Sequence, residues 1–244
     1  MMKHLCLIHG WGVNSAIFTG FQTAFTADWQ VSTPDLIGHG ASPNVTEFDI
    51  ATAADAIAQR LPEKAFVLGW SLGSLVALHL AQRHPEKVRA LILMSGMAKL
   101  RAETDYPEGV DNKLLNKMVD FFQYDYAKHV RQFLALQLIH TPEQQGVMNA
   151  VLPDLLKHGS PQALTLALNA LEHADARAML PEIGQPVLIV CGNKDAVTPP
   201  RMSEYLARHL PNARLQLIDK AAHAPFLSHP QECVHWIETF AAAI

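Results

Sequence analysis

One stretch, Phe66-Val67-Leu68-Gly69-Trp70-Ser71-Leu72-Gly73-Ser74-Leu75-Val76-Ala77, restricts the fold more than any other. An apolar run leads into G-W-S-L-G, and Leu78, Leu80 and Ala81 continue beyond it, the composition of a buried strand turning directly into a helix. A serine on so tight a turn adopts a strained backbone, and side chains two positions to either side would collide with the strand or the helix. Gly69 and Gly73 remove those collisions. The turn lifts the Ser71 hydroxyl above the sheet edge, and the helix that follows aims its unpaired N–H groups at whatever the serine attacks. A chance G-x-S-x-G is rare in a chain with 13 glycines, and rarer still between a strand and a helix.

Strand signals on either side of this elbow alternate with helical ones. Apolar runs predict strands at His4–Ile8, Trp29–Thr33, Ala65–Gly69, Val88–Met94, Pro186–Cys191 and Arg214–Ile218. Helices are predicted at Ser15–Ala27, Asp49–Leu61, from the elbow to about Arg83, at Pro199–His209 and from about Pro230 to Ala243. That alternation implies right-handed βαβ units around a parallel sheet. It stops between about Leu100 and Leu180, where only helical periodicity appears: Leu114–Tyr124, Tyr126–Ile139, Glu143–Lys157 and Pro161–Ala174, with Pro142, Pro153 and Pro161 marking the joins. The expected architecture is an α/β-hydrolase fold, a mainly parallel sheet of about six strands flanked by helices. Residues 1–99 and 181–244 form its core, and residues 100–180 an inserted all-helical cap.

A serine hydroxyl is a poor nucleophile at neutral pH and needs a base, which in turn needs an orienting acid. Chain order in this fold is serine, acid, histidine, with the acid after a late strand. Asp195, in the loop after the Pro186–Cys191 run, meets that condition; Asp219 ends its strand beside Lys220, which suits a surface ion pair. The loop after the fourth strand, Ser95-Gly96-Met97, carries no carboxylate. Of 13 histidines, His84, His158 and His209 lie at helix ends near basic residues, where a solvated imidazole is the default. His223 lies in Lys220-Ala221-Ala222-His223-Ala224-Pro225-Phe226, a loop of small residues between the last strand and the last helix, whereas His229 directly precedes Pro230 and starts that helix. Ser71, Asp195 and His223 are therefore the expected nucleophile, acid and base. The oxyanion formed at the attacked carbonyl needs two backbone N–H groups: Leu72 at the head of the elbow helix, and Trp11 in His9-Gly10-Trp11-Gly12 after the first strand.

Composition narrows the classes further. The 244 residues are 49% hydrophobic and 17% charged, enough for a substantial core. A net charge of −4 offers no electrostatic footprint for nucleic acid. Three separated cysteines, Cys6, Cys191 and Cys233, read as buried reduced thiols, and no metal-ligand cluster or dinucleotide-binding glycine pattern implies a cofactor. No apolar run approaches a signal peptide or a membrane span, so a cytosolic protein without a membrane partner is expected. Serine at position 71 excludes a dehalogenase or epoxide hydrolase, which would carry aspartate there. A ligand receptor on this fold would not need a complete serine, aspartate and histidine set.

Four strings together, H-G-W-G, L-G-W-S-L-G, R-Q-F-L-A-L-Q and K-A-A-H-A-P-F-L-S-H-P, resemble the pimeloyl-[acyl-carrier protein] methyl ester esterases of biotin synthesis. The first two are shared by many α/β-hydrolases; the others are more particular, and the likeness runs over most of the chain. The resemblance implies a methyl ester hydrolase with Ser71, Asp195 and His223 as its triad. It places Trp11, Leu72, Phe133, Leu134, Ala135, Leu136 and Gln137 at the substrate. Helical spacing sets Phe133 and Gln137 on one face, four residues apart. Two departures accompany it. The strand pair that usually precedes H-G-W-G in the family is missing, so a smaller sheet is expected at that edge. The family's cap arginines, which face an acidic acyl carrier protein, are represented by Lys128 and Arg131, while the next helix carries Gln144, Gln145 and Asn149 and nothing basic before Lys157. A carboxylesterase for short acyl esters, with no carrier partner, is the alternative these residues allow.

Overall fold

The computed structural model describes residues 2–111, 126–139, 141, 144–158 and 161–244. Six strands among them, β1 (Lys3–Ile8), β2 (Trp29–Ser32), β3 (Ala65–Trp70), β4 (Val88–Met94), β5 (Val187–Gly192) and β6 (Ala213–Ile218), form one sheet in the order β2-β1-β3-β4-β5-β6. Every pairing is parallel. The inner strands β3 and β5 are buried at all six positions, as strands covered on both faces must be, whereas edge strand β6 is only half covered. The helix after the elbow, Leu72–Arg83, is apolar nearly all round and lies buried against the sheet, so its axis, and with it the turn that starts it, has little freedom.

Because all strands run the same way, their C-terminal ends share one edge of the sheet. The loops carrying His9, Ser71, Ser95, Asp195 and His223 all emerge there, the edge at which parallel α/β sheets bind ligands. The helical segment leaves the sheet after β4 and rejoins it before β5. Its two ends meet: Ala176 N–H donates to Ala98 C=O at 2.8 Å, Lys99 Nζ contacts Asp175 at 3.1 Å and Glu103 at 2.8 Å, and Arg177 contacts Asp175 at 2.7 Å.

Three expectations need correction, and two others fall outside the described residues. The predicted Ser15–Ala27 helix is only a 3-10 turn, Ser15–Phe18, and one α turn, Thr19–Gln22. Gly20 is a poor helix former, and Thr19 and Thr23 turn their hydroxyls back onto the carbonyls of Ala16 and Gly20, so side chains compete with the helical ladder. Phe21 and Phe25, at the four-residue spacing of a helix face, pack edge-on in series with Trp29 of β2 instead. Pro153 does not mark a join. It sits inside the Gln144–His158 helix on an exposed side, where the carbonyl deprived of its N–H partner can face water. Within the inserted segment, isolated bridges join Lys99 to Asp175, Arg101 to Val110 and Glu103 to Tyr106, so the stretch is not purely helical. The expected Leu114–Tyr124 helix and Pro142 lie outside the described residues. No described helix is long and apolar enough to cross a membrane.

Candidate active site

Ser71 follows β3 directly, at φ 55° and ψ −119°, a conformation that non-glycine residues rarely hold. The glycines either side explain how the chain reaches it. A Cβ at Gly69 would stand 2.2 Å from Gly73 O, and one at Gly73 would stand 2.3 Å from Ile8 O. The turn is held from below by Ser71 N–H donating to Met94 C=O at 3.1 Å, and from the helix by Ser74 Oγ donating to Ser71 C=O at 2.6 Å. Leu72 is the first residue of the elbow helix, so its N–H belongs to the end that has no intrahelical acceptor. The His9-Gly10-Trp11-Gly12 loop comes against the same turn: a Cβ at Gly10 would lie 3.1 Å from Ser71 Cβ.

The structure brings Asp195 and His223 into contact. His223 Nδ1 lies 2.9 Å from Asp195 Oδ2 and 3.2 Å from Oδ1, with both side chains almost fully buried. A carboxylate only accepts, so Nδ1 carries the proton and the neutral ring keeps Nε2 as its acceptor. Asp195 Oδ1 also accepts the N–H groups of Val197 and Thr198, each at 2.9 Å. Burial pushes the Asp195 carboxyl up, but the opposing charge and hydrogen bond of His223, with the Thr198 bonds, outweigh it and hold the group below its usual range. Asp219 is exposed and accepts from Asn193 Nδ2 at 2.7 Å, away from this pair, and His229 stands at the N-cap position of the final helix, its Nδ1 2.8 Å from Ser228 Oγ.

Four residues here escaped the sequence reading. Trp70 Nε1 donates to His223 C=O at 2.8 Å, so the residue before the nucleophile fixes the histidine loop. Thr198 Oγ1 lies 2.9 Å from Asp195 Oδ2 and 3.0 Å from Ser95 O, bridging the acid to the loop after β4. Gly192 lets the histidine loop pass, since a Cβ there would stand 2.3 Å from both Ala221 O and Ala222 O. His9 is fully buried, with Nδ1 donating to Gly10 C=O at 2.8 Å and Nε2 accepting from Leu36 N–H at 3.0 Å. Only the loop crossings reveal these roles; a G-W-S string or a threonine three residues after an aspartate does not.

A cavity of about 140 Å³ opens on Ser71. Trp11, Met97, Phe133, Leu136, Leu168 and Leu171 are among its walls, and Ser71 and Thr198 are the polar side chains in its described lining. Trp11 and Phe133 meet edge to face with centroids 5.0 Å apart. Of the run expected at the substrate, Phe133 and Leu136 line the cavity, three residues apart rather than four. Leu134 and Gln137 are buried outside that lining, and Ala135 offers its carbonyl to Gln144 Nε2 at 3.0 Å. Lys128 and Arg131 are exposed on the same helix.

A parallel sheet whose C-terminal edge carries a strained serine elbow, with a buried carboxylate–imidazole pair on the neighbouring loops, defines the α/β-hydrolase class. The sequence model of the family described as alpha/beta hydrolase fold matches residues 3–230. Pimeloyl-[acyl-carrier protein] methyl ester esterase of Neisseria meningitidis serogroup B is 55% identical over 94% of this chain and 89% of its own, and that of Chromobacterium violaceum is 36% identical over 93% and 90%. The chain belongs to the α/β hydrolases and, within them, to the family of these esterases. Among solved structures, an esterase from Exiguobacterium antarcticum superposes with a TM-score of 0.91 at 21% identity, covering 98% of this chain and 92% of its own. A bromoperoxidase from Bacillus anthracis gives 0.91 at 20%, over 99% and 92%. At those identities the likeness speaks for the fold.

Proposed function

We propose that this chain is a serine carboxylester hydrolase that removes the methyl group from pimeloyl-[acyl-carrier protein] methyl ester in biotin synthesis. The observation that carries the chemistry is the buried Asp195–His223 pair, whose histidine loop is held by Trp70, the residue before a serine at positive φ. In this reading Ser71 Oγ attacks the ester carbonyl while His223 Nε2 takes its proton, and Asp195 holds the ring and balances the imidazolium. The carbonyl electron pair moves to oxygen, where the N–H groups of Leu72 and Trp11 receive it. Collapse of that intermediate expels methanol, protonated by His223, and leaves an acyl-Ser71 ester. Water, deprotonated by His223, then releases the carboxylic acid and restores the serine. The acyl chain lies in the apolar cavity against Phe133 and Leu136, and residues 100–180 act as the cap over the core of residues 1–99 and 181–244. The substrate assignment is supported by the names of the relatives. The test is Ser71→Ala, which removes a triad nucleophile and should lower ester turnover roughly a million-fold with the fold intact; activity within tenfold of wild type would sink the assignment.

One observation favours a second reading, a carboxylesterase for short free esters. Gln145 and Asn149, exposed on the Gln144–His158 helix, are uncharged, and that helix carries basic residues only in its last turn, at Lys157 and His158. Turnover of carrier-bound against free methyl esters separates the two.

A further inference from the structure

The loop from His9 to Asn14 is suspended between the sheet and the inserted helices. On the sheet side, His9 Nε2 accepts from Leu36 N–H at 3.0 Å and Asp35 Oδ1 accepts from Ser15 N–H at 2.7 Å. On the other side, Trp11 Nε1 donates to the Leu164 carbonyl at 2.8 Å and Asn14 Nδ2 donates to Asp154 Oδ2 at 2.7 Å. Leu164 belongs to the Pro161–His173 helix and Asp154 to the Gln144–His158 helix. A third helix, Tyr126–Gln137, presses Phe133 on Gly12, where a Cβ would come within 3.1 Å of the ring. Asn14 is 3% exposed and has both ends of its amide committed, since its Oδ1 accepts from Ala16 N–H at 3.0 Å. A bond from that buried amide to an ionised carboxylate is of the stronger, charge-assisted kind.

We propose that Asn14 and Asp154 are positioning residues for the Trp11 backbone N–H: the inserted helices, through this bond and the Trp11 indole, set where the oxyanion donor stands. The placement of the helical segment then governs turnover as well as access to the cavity. This rests on the reading of Trp11 as an oxyanion donor. Such a donor works over a narrow range of distance, and a displacement of about 1 Å costs on the order of a hundredfold in rate.

Asp154→Ala breaks the tie from the helix side and leaves the Asn14 bond to Ala16 in place. Asp154→Asn keeps an acceptor for Asn14. Both variants and wild type are assayed on p-nitrophenyl butyrate and titrated with a butyryl trifluoromethyl ketone. Ser71 Oγ adds to the ketone carbon, the carbonyl pair moves to oxygen and the serine proton passes to His223, so affinity reports the oxyanion site directly. Asp154→Ala should lower kcat by about ten- to a hundredfold with KM changed by less than about threefold, and weaken the ketone by the same factor as kcat. Asp154→Asn should recover most of both. A variant that melts earlier but keeps kcat and ketone affinity overturns the proposal, as does an Asp154→Asn that loses as much as Asp154→Ala. A wild-type protein that does not bind the ketone overturns the underlying reading of Ser71 and Trp11 together with it. Wild type and Asp154→Ala binding it equally well overturns the proposal alone.

Discussion

His9 ties the stability of this protein to pH through the same loop. Both ring nitrogens are used by a neutral imidazole: Nδ1–H donates to Gly10 C=O and Nε2 accepts from Leu36 N–H. A second proton on Nε2 would face a donor in a site with no solvent. Burial, followed by repulsion from His39, pushes the imidazole down from 6.5 to about 3, although the Gly10 bond and Asp35 pull the other way. The unfolded chain therefore holds a proton between those two values that the folded chain does not. Unfolding takes up that proton, so this contribution to stability is complete above the unfolded value and is lost as pH falls toward the folded one. One proton is at stake, so below the unfolded value this contribution falls by at most about 1.4 kcal/mol for each pH unit. The assay is urea unfolding of wild type and His9→Asn at several pH values from 7.5 down to the acid limit of the native state. His9→Asn should be less stable at pH 7.5, by about 1–3 kcal/mol for the disturbed hydrogen bonds. Its stability should also fall less steeply with acid than that of wild type, the difference in slope approaching about 1.4 kcal/mol per pH unit. Groups remote from His9 contribute equally to both proteins and cancel, so the difference reports His9 together with its coupled neighbours His39 and Asp35. Parallel curves would refute the reasoning.

Three further outcomes are expected. Gly73→Ala places a Cβ 2.3 Å from Ile8 O, so the elbow helix must shift; a loss of about 1–3 kcal/mol in urea unfolding and at least a hundredfold in kcat should follow, and native-like turnover would contradict it. Thr198→Val removes the hydroxyl between Asp195 and Ser95 and should cost about 1–3 kcal/mol of stability and about tenfold in kcat/KM, with Thr198→Ser restoring both; equal behaviour of the two variants would show that the hydroxyl is idle. Reversing Lys128 and Arg131 to glutamate should slow a carrier-bound methyl ester about tenfold at low salt and leave a p-nitrophenyl ester unchanged, with high salt mimicking the reversal on wild type. If both substrates respond alike, the free-ester reading moves ahead.

How much of this was legible beforehand depends on the range of the interaction concerned. The elbow was readable because its constraint is local: Gly69 and Gly73 clear one helix from one strand within five residues, so the sequence has to spell it out. The inner strands were readable because strands covered on both faces are continuous apolar runs, as β3 and β5 are. The Ser15–Ala27 segment misled because aromatic residues at helical spacing can equally stack in series across turns. Pro153 misled because a proline stops a helix only where the freed carbonyl cannot reach another partner.

By itself the sequence determined the parallel α/β architecture, the strained turn at Ser71 and the order in which an acid and a histidine should follow it, since strand, turn and helix signals are short-range. Tertiary structure alone decided which side chains those loops rely on. Trp70 meets His223 and Trp11 meets Leu164 across 153 residues each, and Asn14 meets Asp154 across 140. Such bonds depend on where the ends of separate strands and inserted helices come together. Each uses an ordinary tryptophan or asparagine whose local sequence carries no mark of its partner, so only the folded chain reveals that the loop beside Ser71 is held from both sides.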